Sequence, residues 1–224
     1  MFDTFLFAAI PYLAVTVAVI GGIARYSDDR YSYSSFSSQL LESRVLFWGS
    51  ISWHYPVLLI LGAHVVALAF WRQWADVLAS PVRLWGLEVG GLALSFLAFA
   101  GLTALLVRRL VIPRVRAVTS PMDWVLLLSL LAQIGLGIWI AIDFRWGSSW
   151  FTSSISPWLI SLFKLNPEVE TVAALPVGVQ VHALFGFFII ALVPFTRLVH
   201  AVTVPVSYLW RPFQVVIWNR RSAR

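Results

Sequence analysis

Cysteine is absent from this 224-residue chain. That excludes disulfides, covalent attachment of a c-type haem and any iron–sulfur cluster ligated by its own side chains. Charge is scarce as well. Charged residues make up 12% of the sequence against 60% hydrophobic, too little polar surface to cover a soluble globule of this size. The expected solvent is a lipid bilayer. Lysine and arginine are missing from Met1 to Thr4, which carry an acid instead. Without a basic n-region the first apolar segment is expected to stay in place, with no soluble domain ahead of it. The net charge of +6 does not indicate nucleic acid, because the basic residues stand in short clusters beside apolar runs, the pattern that encodes membrane topology. No internal repeat or second domain is visible, so residues 1–224 are read as one membrane-embedded unit.

Uncharged runs long enough for the roughly 20 residues of a spanning helix extend from Thr4 to Ala24, Val45 to Trp71, Val89 to Val107, Trp124 to Ile142 and Thr171 to Thr196. They are too continuously apolar for barrel strands, and backbone groups in lipid must be satisfied within their own segment. The predicted fold class is therefore an all-α integral membrane protein, a bundle of five transmembrane helices. The third span is expected to begin near Leu84, with Glu88 in its first turns, where the helix dipole or the interface accommodates a carboxylate. In the long loop before the fifth span, Ser156 to Lys164 sets Trp158, Leu159, Leu162 and Phe163 at helical spacing, which predicts a short interfacial helix. Trp71, Trp85, Trp124 and Trp210 lie near span ends and read as interfacial anchors. The first and third loops and the tail hold 12 Lys and Arg, the second and fourth loops 4. The positive-inside rule then predicts an N-terminus outside and a C-terminus in the cytoplasm.

All four histidines fall in or at the edge of apolar spans, His54 and His64 in the second and His182 and His200 in the fifth. An imidazole in hydrocarbon without a partner costs on the order of a few kcal/mol, so each needs a hydrogen bond or a metal. Antiparallel helices would set His64 beside His182 towards the outside and His54 beside His200 towards the cytoplasm. Such pairing supplies the two axial imidazoles that each of two b-type haems requires. On ideal helices His54 and His64 are about 15 Å apart along the axis and His182 and His200 about 27 Å. Eighteen residues make five turns, so the second pair is expected to share a helix face, whereas His54 and His64 differ by about 80°. Pro56 and Pro194 can kink the two helices enough to change that phase. Gly62, Ala63 and Gly186 leave room either for a porphyrin or for close helix packing. Arg197, one turn before His200, and Arg114 and Arg116 in the basic loop are candidate partners for haem propionates.

Several segments together resemble the gamma subunit, the membrane cytochrome b, of respiratory nitrate reductases. They are SSQLLESR at Ser37 to Arg44, the His54 to His64 spacing, PRVRAVTS at Pro113 to Ser120, LLLSLLAQIGLGI at Leu126 to Ile138, VQVHALFGFF at Val179 to Phe188 and PFTRLVHAVTVPVSYL at Pro194 to Leu209. The resemblance implies two haem b groups, a distal one on His64 and His182 near the outer face and a proximal one on His54 and His200. It implies quinol oxidation beside the distal haem, with electrons passing inward to an iron–sulfur beta subunit and a molybdenum-containing alpha subunit on the cytoplasmic side of a prokaryotic inner membrane. The candidate quinol-site residues are His64, Arg83 and Trp85. Where the family places a lysine near the start of the third helix, this chain has Trp85, with Arg83 the nearest cation. Two other readings keep part of the pattern. A cytochrome b of a sulfur-metabolising membrane complex would keep the haems and change the partner. A haem-free transporter or anchor would use the histidines for protons or packing.

Overall fold

The structure, a computed structural model, describes residues 1–34 and 37–202. Trp210, the basic residues beyond it and the end of the Pro194 to Leu209 motif lie outside the described residues. Five helices are long and apolar enough to cross a membrane: α1 (Phe2–Asp28), α2 (Arg44–Ala69), α4 (Pro81–Val111), α6 (Pro121–Asp143) and a last span, Val177–Phe195. Between α2 and α4 lies α3 (Trp71–Leu78), an eight-residue helix where only a loop was expected, and α5 (Pro113–Ala117) follows α4. A continuous helical run over 147–163, α7, contains a π turn at Phe151–Ile155. It is followed by α8 (Glu170–Ala173) and by α9 (Val177–Leu192), the helical part of the last span.

Proline sets many of these boundaries. Pro81, Pro113 and Pro121 occupy first helical positions, where the missing N–H costs nothing. Ser120 and Asp123 close a capping box at the head of α6. The last span departs most from expectation. Leu175–Pro176 separates α8 from α9, so the helix starts at Val177 rather than Thr171. At Pro194 it tightens into a 3₁₀ turn, and Thr196 is extended, with φ −126° and ψ 179°. His200 therefore sits on a separate 3₁₀ turn, Arg197–Ala201, and the expectation that His182 and His200 share one helix face is corrected. Proline removes the amide that would continue the ladder, and here the chain breaks instead of kinking.

In lipid no hydrophobic drive pushes helices together, so small residues and close packing decide which helices touch. A Cβ on Gly101 of α4 would stand 2.7 Å from the Ser52 carbonyl carbon and the Trp53 nitrogen of α2, and one on Gly49 of α2 would stand 2.8 Å from Leu105. Those two backbones are in near-contact. Trp53, Ala98, Leu102 and Leu127 form the core there. Around the bundle α2 packs on α4, α4 on α6, α6 on α9 and α9 on α1. α2, which bears His54 and His64, and α9, which bears His182, share no substantial helix–helix interface among the described residues.

A second core closes one end. Trp158 of α7 is fully buried, donates its indole N–H to the Phe7 carbonyl at 2.8 Å, and packs edge-on against Phe7 and Phe187. Leu162 and Ile155 join it, while Phe163 points away, 80% exposed. The expected short helix is present, with its inner face docked on α1 and α9. Apolar side chains such as Ile20, Ile23, Leu58 and Leu59 remain uncovered along the spans, as a lipid-facing surface requires.

Gly101→Ala is expected to destabilise the bundle by about 1–3 kcal/mol, since the new methyl meets rigid backbone. Gly90→Ala, where a Cβ meets nothing within 4 Å, should leave thermal stability in detergent unchanged or slightly raised. Equal melting temperatures for the two variants would show that the α2–α4 contact is not tight.

Candidate functional site: two histidine pairs and a cationic end

His54, on α2, and His200 come together, with ring centroids 6.2 Å apart and planes at 69°. Two metal–imidazole bonds of about 2 Å, plus about 1 Å from each nitrogen to its ring centre, put such centroids about 6 Å apart, so the pair fits one metal ion between the rings. The nitrogens are prepared for it. His54 Nδ1 lies 2.9 Å from the Ser50 carbonyl oxygen and 3.0 Å from Ser50 Oγ, and His200 Nδ1 lies 2.6 Å from the Arg197 carbonyl oxygen. A carbonyl can only accept, so each Nδ1 carries the proton and each Nε2 the lone pair.

His64 follows the same rule, its Nδ1 donating to the Ile60 carbonyl at 2.7 Å. It is not covered by the chain, and the Phe151 ring stands edge-on 5.0 Å from it. His182 stands on α9. Its ring leans on α6: Gln133 Nε2 is 3.4 Å from His182 Nε2 and 3.2 Å from the His182 carbonyl oxygen. A Cβ on Gly137 would stand 3.3 Å from the ring. His182 Nδ1 is buried without a hydrogen-bond partner, a polar group whose capacity is unmet. Space beside the pair is uneven. A Cβ on Gly62 would meet nothing within 4 Å, whereas Gly186 faces Gln133 at 3.6 Å. No cluster of three or more His, Asp or Glu forms among the described residues.

The break that sets His200 apart is held by α1. Arg25 donates through Nη1 to the Pro194 and Thr196 carbonyls at 2.8 and 2.9 Å, and through Nη2 and Nε to Ser32. Thr196 caps the 3₁₀ turn by accepting from the Leu198 amide. Arg197, the propionate candidate beside it, binds Asp123 at 2.5 and 2.9 Å, with Arg109 3.6 Å from the same carboxylate. Asp123 is 3% exposed and was not singled out in the sequence, although Ser120-x-x-Asp123 reads as a capping box. Arg197 also lines two adjoining cavities of about 360 and 220 Å³, the second shared with Arg25 and Asp123. Arg114 and Arg116 are exposed on α5 and hold no ion pair among the described residues.

Arg108, counted in the sequence only as a topology charge, is buried. It donates to Glu42 at 2.6 Å, to the Glu42 carbonyl, and to both oxygens of Ser38. This gives SSQLLESR a physical role, fastening the first loop to the end of α4. The Val45 amide and then the Arg108 guanidinium hold the Glu42 carboxyl below its usual range. Its contribution to stability is thus present above the ordinary carboxylate pKa and is lost as pH falls through the lowered value.

At the opposite end, Arg83 donates to the Val77 and Asp76 carbonyls and so caps α3. The exposed Trp85 meets Trp146 at 5.3 Å, a residue held in left-handed backbone at φ 69°. Glu88 accepts from the Ser148 amide at 2.8 Å at the head of α7. Neither Arg83 nor Trp85 makes a hydrogen bond or ring contact with His64.

Five helices long and apolar enough to cross a bilayer define a multi-pass helical membrane protein. The match to known families is specific: over residues 3–219 the chain belongs to the nitrate reductase gamma subunit family. It is 30% identical to the nitrate reductase gamma chain of Bacillus subtilis, covering 97% of this chain and 98% of that one. To the respiratory nitrate reductase 1 gamma chain of Escherichia coli it is 31% identical over 96% of each. It is 32% identical to the nitrate reductase-like protein NarX of Mycobacterium tuberculosis over 99% of this chain, and spans about a third (34%) of that longer protein.

Arg25→Ala leaves two carbonyls at the helix break unmatched and is expected to cost about 2–4 kcal/mol, with Arg25→Lys recovering part of the loss. Thermal melting of the purified full chain checks this. Unchanged stability in both variants would show that the break holds without Arg25.

Proposed function

We propose that the chain is the membrane electron-transfer subunit of a nitrate reductase, carrying two b haems and taking electrons from quinol. The observation that carries this reading is the meeting of His54 and His200, their rings 6.2 Å apart, with His64 and His182 on two helices that share no substantial interface among the described residues. His54 and His200 would hold the proximal haem, and His64 and His182 the distal one. Bound there, haem iron supplies one-electron redox chemistry, which side chains alone do not provide.

The chain's own residues do the rest. The Ser50, Ile60 and Arg197 carbonyls fix the protonated ring nitrogen and leave the other its lone pair. Arg114 and Arg116 offer exposed guanidiniums to propionates, and Arg197 does so from its pair with Asp123. Quinol would bind at the end of the bundle where His64, Arg83 and Trp85 lie, with Phe151 adding an aromatic edge against His64. Arg83, committed to the end of α3, acts there through charge.

The basic-residue division supports an N-terminus outside and a C-terminus in the cytoplasm of a prokaryotic inner membrane. In that orientation electrons cross inward, each charge working with about 2.3 kcal/mol per 100 mV. The name "gamma chain" borne by the B. subtilis and E. coli relatives supports partner chains. An iron–sulfur beta subunit and a molybdenum-containing alpha subunit on the cytoplasmic side are the proposed ones.

Pyridine haemochrome analysis should return two b haems per chain. His64→Ala and His182→Ala should each delete the same spectral component, and His54→Ala and His200→Ala the other, while quinol still reduces the distal component in the latter two. Deletion of one component by both His64→Ala and His200→Ala would overturn the pairing, and a chain with no b-type spectrum would overturn the haem assignment.

For topology, a C-terminal reporter enzyme that functions only in the cytoplasm should be active. Activity confined to an export-dependent reporter would reverse the orientation.

A further inference from the structure

Three of the four histidines satisfy Nδ1 with a main-chain oxygen of their own helix or turn: His54 with Ser50, His64 with Ile60 and His200 with Arg197. His182 does not. Its Nδ1 is buried with no hydrogen-bond partner, and so is Oε1 of Gln133 on the neighbouring α6. The same two side chains already touch, through Gln133 Nε2 and His182 Nε2 at 3.4 Å, with the Gln133 amide also donating to the His182 carbonyl at 3.2 Å. One side chain thus holds an unused buried acceptor and the other an unused ring nitrogen, each buried and adjacent.

A buried polar atom left unmatched costs about 1–3 kcal/mol, so two in one contact call for an arrangement that uses both. Rotating the imidazole about Cβ–Cγ towards Oε1 gives it: Nδ1–H donates to Oε1, the Gln133 amide N–H keeps its bond to the His182 carbonyl, and the ring Nε2 is released from the glutamine. Gly137, with no side chain of its own beside the ring, leaves room for that rotation. From these observations we infer that Gln133 is the positioning residue of His182, accepting its Nδ1 proton as main-chain carbonyls do for the other three histidines and leaving Nε2 for iron. The inference rests on the di-haem reading above. A side chain in this role can be changed without altering the backbone.

An acceptor on Nδ1–H makes the imidazole a stronger donor to a metal and favours oxidised iron. Redox titration of the b haems in membranes holding the assembled complex tests it, with the distal component assigned by His182→Ala. Gln133→Leu should raise the midpoint potential of the distal component alone, and Gln133→Glu should lower it, with the proximal component unmoved in both. A purely structural role would not give shifts of opposite sign. Unchanged distal potentials in both variants, or displacement of both haems together, would overturn the role of Gln133 while leaving the di-haem reading intact. A wild-type protein with fewer than two b haems would instead remove the reading beneath it. Should the leucine variant not accumulate, Gln133→Asn, which keeps the amide but shortens its reach, should also raise the distal potential, and an unmoved potential there counts against the inference.

Discussion

Hydrocarbon offers no hydrogen bonds, so a helix that stops within or beside a membrane must hand its last carbonyls to donors from the protein itself. In this chain that demand falls on Arg25. Pro194 ends the last span, Thr196 turns the backbone out, and the guanidinium of a residue 169 positions earlier meets the freed Pro194 carbonyl. Beside this contact stand the separate turn that carries His200, the approach of His200 to His54, and the pair of Arg197 with Asp123. An unbroken helix would have carried His200 about six residues, roughly 9 Å, beyond Pro194 along its axis.

The second organising feature is unequal packing. Glycine lets α2 and α4 approach to backbone contact, and the chain from α4 through α6 and α9 to α1 closes most of a ring. It leaves α2, with His54 and His64, and α9, with His182, without a substantial shared interface among the described residues. Each imidazole is oriented by a carbonyl or amide close at hand, so the site depends on local bonds for direction and on the helix bundle for separation.

Much of this was legible beforehand. Long uncharged runs reported all five spans, because in lipid length and apolarity nearly suffice. The pairing of His54 with His200 followed from antiparallel order alone. What periodicity could not report was the outcome at Pro194, since kink and break share one sequence pattern and a distant arginine decided between them. Arg108 and Asp123 were hidden for a related reason: in a membrane protein, charges at span ends read first as topology signals, and only packing reveals that these two are buried. Gln133 sat inside an apolar motif as one polar residue on a helix, with nothing in its own segment to name His182 as its neighbour. The helix α3 escaped because eight amphipathic residues between two spans look like any polar connection.

The want of a substantial α2–α9 interface among the described residues has a thermodynamic side. A group that binds only the folded bundle adds its binding free energy to folding, in proportion to the logarithm of its concentration over its dissociation constant. A ligand gripped from both helices would join the two edges of the ring that the polypeptide leaves unjoined. On the proposed reading, cofactor supply then bears on how stable the folded chain is as well as on whether it conducts electrons.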